Sequence, residues 1–158
     1  LSPLKSSSFN PPAGNHANDY GWGCLSECFC TSGLAHLYCY RATGDKKYLE
    51  AALQNADYVL GRNATGYCYV TGYGHKPPKN IHHRISSADG IDAPMPGLLA
   101  GGPNPGQQDN GDGSLPYPSK QPDESYIDAT GSYASNEIAI NWNASLVSFL
   151  GWIDAEMK

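Results

Sequence analysis

The chain has 158 residues, of which 18 are Gly and 12 are Pro, nearly a fifth of the total against the ~12 % usual for the two together, so a large share of it is expected to be loop. Lys and Arg number 10 against 15 Asp and Glu, for a net charge of −5 without a basic cluster, which argues against nucleic acid or an anionic membrane surface as partner. No apolar run approaches the ~18–20 residues of a membrane span, and Leu1 in place of an initiator Met reads as a processed or cut chain.

Residues 1–20 are rich in Ser, Pro, Asn and Gly without apolar period and read as an extended leading segment or linker, ahead of a folded region 21–158. Leu25, Cys28, Phe29, Leu34, Leu37 and Cys39 fit a helix with one buried face only roughly, and Arg41 to Gly44 supplies a basic last turn and a Gly stop. Asp45 is placed to cap a second helix. There Tyr48, Leu49, Ala52, Leu53, Ala56, Val59 and Leu60 recur at steps of three and four, and Gly61 ends the run.

Two such helices joined by a few residues form a helical hairpin. Gly66 to Gly74 reads as a short strand or extended stretch, and Lys76 to Ser125 as a long loop of Pro, Gly, Asn and Asp. A third helix is expected after Ser132 or Ser135, running to Ile153, which puts Glu137 near its first turn, where the helix dipole favours a carboxylate. Three helices and a long loop do not close a core of their own, because ordering loop residues costs backbone entropy of roughly 1–2 kcal/mol each. Further protein is therefore expected to complete the fold.

The five cysteines, Cys24, Cys28, Cys30, Cys39 and Cys68, are odd in number, and only His36 lies near enough to suggest a metal site. They read as small buried thiols. Asn63-Ala64-Thr65 and Asn143-Ala144-Ser145 match the N-glycosylation pattern. Asp109 and Asp112, in an oxygen-rich loop, are calcium candidates set against a plain solvated acidic loop.

Two clusters carry possible chemistry. In Lys79-Asn80-Ile81-His82-His83-Arg84, an extended chain would put His82 and Arg84 on one side, a donor set for sugar hydroxyls or a carboxylate, against a solvated basic loop. In Tyr126-Ile127-Asp128, Tyr133, Asn136-Glu137 and Asn141-Trp142-Asn143, carboxylates and flat rings are mixed as in sites that break glycosidic bonds, against a capping acid on an ordinary helix.

Val70 to Arg84 (VTGYGHKPPKNIHHR) resembles the first signature of glycoside hydrolase family 9, the cellulase family, with Cys68 a departure from it. Tyr126 to Ala144 (YIDATGSYASNEIAINWNA) resembles the second signature at every defined position. The resemblance spans about 140 residues through Tyr20-Gly21-Trp22-Gly23, Asp57 to Asn63, Pro94 to Gly97 and Gly101-Gly102-Pro103-Asn104-Pro105-Gly106. The last block and Asn141-Trp142-Asn143-Ala144 are most similar to the subgroup whose catalytic domain follows an immunoglobulin-like module.

The resemblance implies an all-α fold, part of an (α/α)6 barrel, and inverting hydrolysis of β-1,4-glucan with no cofactor needed for the chemistry. It implies Glu137 as general acid, Asp128 as a second active-site carboxylate, and His82 and Arg84 as holders of the sugar at the cleavage point. Trp22, Trp142, Tyr126, Tyr133 and His83 become candidate sugar contacts. The family's base, an Asp in an Asp-Ala-Gly-Asp block, has no counterpart here. The chain thus resembles the C-terminal third of a secreted catalytic domain and is expected to be inactive without the N-terminal part. Two alternatives stay open: a glucan-binding or structural fragment, and an enzyme acting on xyloglucan or mixed-linkage glucan.

Overall fold

Helix α1 (Thr31–Thr43) stops where Gly44 adopts φ 71°, a left-handed conformation natural to glycine, and Gly44 N–H closes on the Tyr40 carbonyl at 2.7 Å. Asp45 then caps α2 (Lys46–Val59) by accepting from Lys47 N–H at 3.1 Å. The face of α2 carrying Ala52, Asn55, Ala56 and Val59 is buried, and α1 and α2 pack as the expected hairpin. The computed structural model describes residues 12–158. Part of the expected leading segment lies outside them, while its described end is docked on the hairpin: Ala13 and Tyr20 are buried, and Ala13 N–H donates to Asn55 Oδ1 at 3.2 Å.

The turn before α1 is wider than an α-helix. Leu25–Cys30 is π-helical and runs into α1 without a break, burying Leu25, Ser26, Phe29 and Cys30. Because a π-turn bonds i to i+5, it shifts the buried face, which is why the apolar spacing of this stretch fits a regular helix only roughly. Phe29 stacks on Tyr58 of α2 with ring centroids 4.1 Å apart.

Helix α4 (Ile140–Glu156) starts later than expected. Ser132 and Ser135 bond to each other and to groups of the preceding loop, so neither caps the helix. The residue before α4, Ala139, is extended at φ −138° and ψ 145°. Helix α4 lies across the π-turn and α1, with Phe149 fully buried against Gly33. The loop region holds a short helix not anticipated from sequence, α3 (Arg84–Ala88), and three isolated bridges: Val70 with Leu99, Ala100 with Ile138, and His82 with Glu137. Gly66 to Gly74 contributes one bridge residue rather than a strand. Among the described residues no helix is long and apolar enough to cross a membrane.

All five cysteines are free, with Cys24, Cys30 and Cys68 buried, Cys28 half-buried and Cys39 exposed. Burial pushes the Cys24 and Cys30 thiols up to about 12, because a thiolate loses its hydration there. Iodoacetamide at pH 8 is expected to label Cys39 and to spare Cys24 and Cys30 until denaturant is added, read by mass spectrometry. The folded chain holds these two protons more tightly than the unfolded one, whose thiols titrate near 9.0. Their contribution to stability is therefore complete below pH 9 and lost as pH rises toward 12. Labelling of Cys24 at the rate of Cys39 in the native state would contradict this burial.

Candidate active site

Asp128 ties the two motifs together. Its carboxylate accepts from Lys79 N–H at 2.9 Å and Asn80 N–H at 2.8 Å, and from the Asn136 side-chain amide at 3.1 Å. Asn136, fully buried, also donates to the Asn80 carbonyl at 2.8 Å, and its own oxygen accepts from Tyr126 O–H. A carboxylate that accepts from two successive backbone N–H groups holds its loop in shape.

The consequence is a local pairing of the two segments. His82 N–H donates to the Asn136 carbonyl at 2.9 Å, and His82 and Glu137 form a parallel bridge. Successive residues of an extended chain point to opposite faces, so with Asn136 directed inward, half-buried Glu137 is directed to the open side. Its parallel partner His82 shares that side. The Glu137 backbone is held from the other flank too, its carbonyl accepting from Gly101 N–H at 3.0 Å. Glu137 is thus on a bridged extended segment before α4, and the expected place in the first helical turn is corrected.

His82 Nδ1 lies 2.7 Å from the Thr130 carbonyl. A carbonyl only accepts, so Nδ1 carries the proton and Nε2 is the nitrogen left for a ligand. The chain turns helical at Arg84, which opens α3 and is exposed, so the extended alternation that was to pair His82 with Arg84 ends one residue early. His83 Nδ1 bonds to Ser86 Oγ at 2.9 Å and is engaged in the start of α3.

A row of rings runs up to the His82 imidazole. Trp22 and Tyr133 are stacked with centroids 6.0 Å apart at 15°, and Tyr133 meets the His82 ring at 6.0 Å and 65°. Both aromatic residues are exposed, at 43 % and 40 %. Flat rings with an open face suit the apolar faces of pyranose rings.

Trp142 and Tyr126 do not join this row. Trp142 is buried against Gly23 and Gly101, and a Cβ at Gly23 would meet the indole at 2.3 Å. Tyr126 is buried, edge-on to Tyr67 and Tyr69. Expected as sugar contacts, both are core residues, because the lone polar atom of each ring allows burial as readily as exposure.

The two calcium candidates hold hydrogen bonds of the loop itself. Asp109 accepts from Tyr117 O–H and Ser132 O–H, both at 2.9 Å, and from Ala134 N–H at 2.7 Å, and Asp112 accepts from Ser114 N–H in its own turn. Among the described residues no three His, Cys, Asp or Glu side chains gather as metal ligands. Thr130, whose carbonyl orients His82, was not singled out in the sequence, and Asn136 was named there only as a neighbour of Glu137, since a backbone carbonyl and an amide carry no motif of their own.

The paired motifs and the helices that hold them define a carbohydrate-active hydrolase fold: residues 4–150 match Glycosyl hydrolase family 9, and the chain belongs to that family. It is 56 % identical over 147 residues to the xyloglucan-specific endo-β-1,4-glucanase BoGH9A of Bacteroides ovatus, covering 93 % of this chain and 24 % of that protein. To a cellulose 1,4-β-cellobiosidase of Acetivibrio thermocellus it is 37 % identical over 139 residues, 85 % of this chain and 15 % of that one. The solved structure of a Bacteroides ovatus GH9 protein matches with a TM-score of 0.84 at 49 % identity, over 95 % of this chain and 25 % of that one. AaCel9A, solved in complex with a cellobiose-like isofagomine, matches at 0.81 and 35 % identity, over 96 % and 28 %. These neighbours are (α/α)6 barrel enzymes, and this chain spans about a quarter of their length.

Proposed function

We propose that this chain carries the proton-donating side of a catalytic centre that hydrolyses the β-1,4-glucan backbone with inversion. The observation that supports it most is the parallel pairing of His82 with Glu137, which brings an imidazole and a carboxyl group to one open side beside the Trp22 and Tyr133 rings. In this reading Glu137 protonates the departing glycosidic oxygen. A carboxylate base, ~6.5–9.5 Å away in an inverting enzyme, activates water on the opposite face of the sugar.

In this reading the base is not one of the carboxylates of the two motifs and comes from the N-terminal part of the full protein. Exposed Ile140 and Val147 on α4 support such a partner, since apolar helix faces of this kind call for cover. His82, through Nε2, and Arg84 bind hydroxyl groups of the sugar at the cleavage point, while Trp22 and Tyr133 stack on neighbouring units. Asp128 serves the same centre from behind, as the group that ties the His82 segment to the Glu137 segment. No cofactor is required for this chemistry. The protein would act outside the cell, where its polymeric substrate is found.

Xyloglucan is favoured over unbranched cellulose, because the identity to a xyloglucan-specific relative is 56 % against 37 % to a cellobiosidase. The isolated 158-residue chain is expected to give no turnover above background on xyloglucan or cellulose oligosaccharides. Adding the N-terminal part of the protein as a separate chain is expected to restore turnover, read by reducing-end release. Robust hydrolysis by the isolated chain would overturn the divided centre. Sugar binding without hydrolysis in the full-length protein would leave a glucan-binding module instead.

A further inference from the structure

We infer that Gln108 and Asp109 form a positioning element for the sugar-stacking ring of Tyr133, an inference that rests on the glucan-cleaving reading above. Three consecutive residues are fastened to these two. Ser132 Oγ donates to Asp109 at 2.9 Å, Tyr133 O–H donates to the Gln108 carbonyl at 3.0 Å, and Ala134 N–H donates to Asp109 at 2.7 Å. Ser132 and Ala134 are buried, whereas the Tyr133 ring between them is exposed. The ring therefore stands out from a clamped segment rather than from a free loop.

Asp109 is suited to this by having two oxygens that only accept. Tyr117 O–H reaches both at 2.9 Å and lies 2.8 Å from Ser132 Oγ, which in turn lies 2.8 Å from Ser135 Oγ. An amide at position 109 would keep one oxygen, a weaker acceptor than a carboxylate, for Ser132 and Ala134 and would turn its N–H toward Tyr117, whose hydroxyl would then have to accept and let go of residue 109. A second, independent observation marks the same place. Gln107 has φ 43°, the one positive φ at a residue other than glycine among the described residues. Such a conformation persists where its surroundings over-determine it, and here the Gln107 amide donates to the Ser119 carbonyl at 2.9 Å and to Ser125 Oγ at 3.0 Å. The bend at Gln107 sets Gln108 and Asp109 against the Tyr133 segment. The acid taken from sequence as a calcium candidate thus acts on the protein's own loop.

The test uses the full-length protein and a xyloglucan oligosaccharide, with KM and kcat from initial rates and Kd from calorimetry. Asp109→Asn is expected to raise KM and Kd by about tenfold with kcat within about twofold, the pattern of lost binding common to ground and transition states. In a Tyr133→Ala background the same change is expected to move KM by less than about twofold, because its effect passes through the ring. A role in folding alone would instead act equally in both backgrounds, and that result would overturn the inference, as would an unchanged KM in Asp109→Asn. Should Asp109→Asn fail to fold, Tyr133→Phe removes only the bond to Gln108; a rise in KM supports the inference and an unchanged KM overturns it. Wild-type protein that binds the oligosaccharide without cleaving it defeats the catalytic reading alone, and the Kd series then decides the positioning role.

Discussion

Glu137→Gln in the full-length protein is expected to lower kcat/KM on xyloglucan oligosaccharides by about 10²–10⁴-fold, the contribution typical of a positioned proton donor. Glutamine keeps the size of the side chain and leaves the backbone bonds of residue 137 intact, including the acceptance of Gly101 N–H at 3.0 Å. Stability is therefore expected to change by no more than ~0.5 kcal/mol, as for other partly exposed substitutions away from a hydrogen-bonded network. What is lost is the acidic proton. A glucoside whose leaving group departs easily, such as a dinitrophenyl glycoside, needs no proton, so its cleavage by Glu137→Gln is expected to stay within about tenfold of wild type. An equal loss on both substrates would show that Glu137 does not act as the acid.

Gly33→Ala is expected to destabilise the protein by about 3 kcal/mol, at the upper end of overpacking costs. The helix leaves no room for the methyl group: a Cβ at residue 33 would lie 2.2 and 2.3 Å from ring carbons of Phe149, which is fully buried between α1 and α4. Neither partner can yield cheaply, since the ring is packed on its other side by the rest of the core. Trimming the ring should therefore rescue the glycine change. Phe149→Leu on its own is expected to be destabilising, while the double variant Gly33→Ala with Phe149→Leu is expected to be more stable than the two single changes would sum to. Thermal unfolding of the four proteins measures this, and strict additivity would mean that the two helices do not meet at Gly33.

The hairpin was legible because its signals are local: a left-handed Gly44, a capping Asp45 and the regular spacing of α2 suffice without the rest of the chain. The bridge between His82 and Glu137 was not called from sequence, where the resemblance implied only that both residues belong to one site. Where sequence reasoning failed, a distant partner had overridden a local preference. Ser132 and Ser135 are good helix caps by type, yet Asp109, more than twenty residues earlier, draws Ser132 away, and α4 starts at Ile140. Trp142 and Tyr126 have the chemistry of sugar contacts, but Gly23, Gly101 and Asn136 make interior places for them. The π-turn at Leu25–Cys30 left only an untidy period in the sequence.

The bonds around Asp128 and Asn136 have a mechanical consequence. The segment of His82 is fixed to that of Glu137 by the His82 N–H to Asn136 bond and by the Asp128 carboxylate, and Gly101 and Gly102 fasten the opposite flank of the same strip at 3.0 and 2.9 Å. The Glu137 carboxyl group and the His82 imidazole are therefore tied into one stiff block. In the glucan-cleaving reading proposed above, any tightening around a sugar then has to come from the part of the protein that faces this block, with this strip as the anvil.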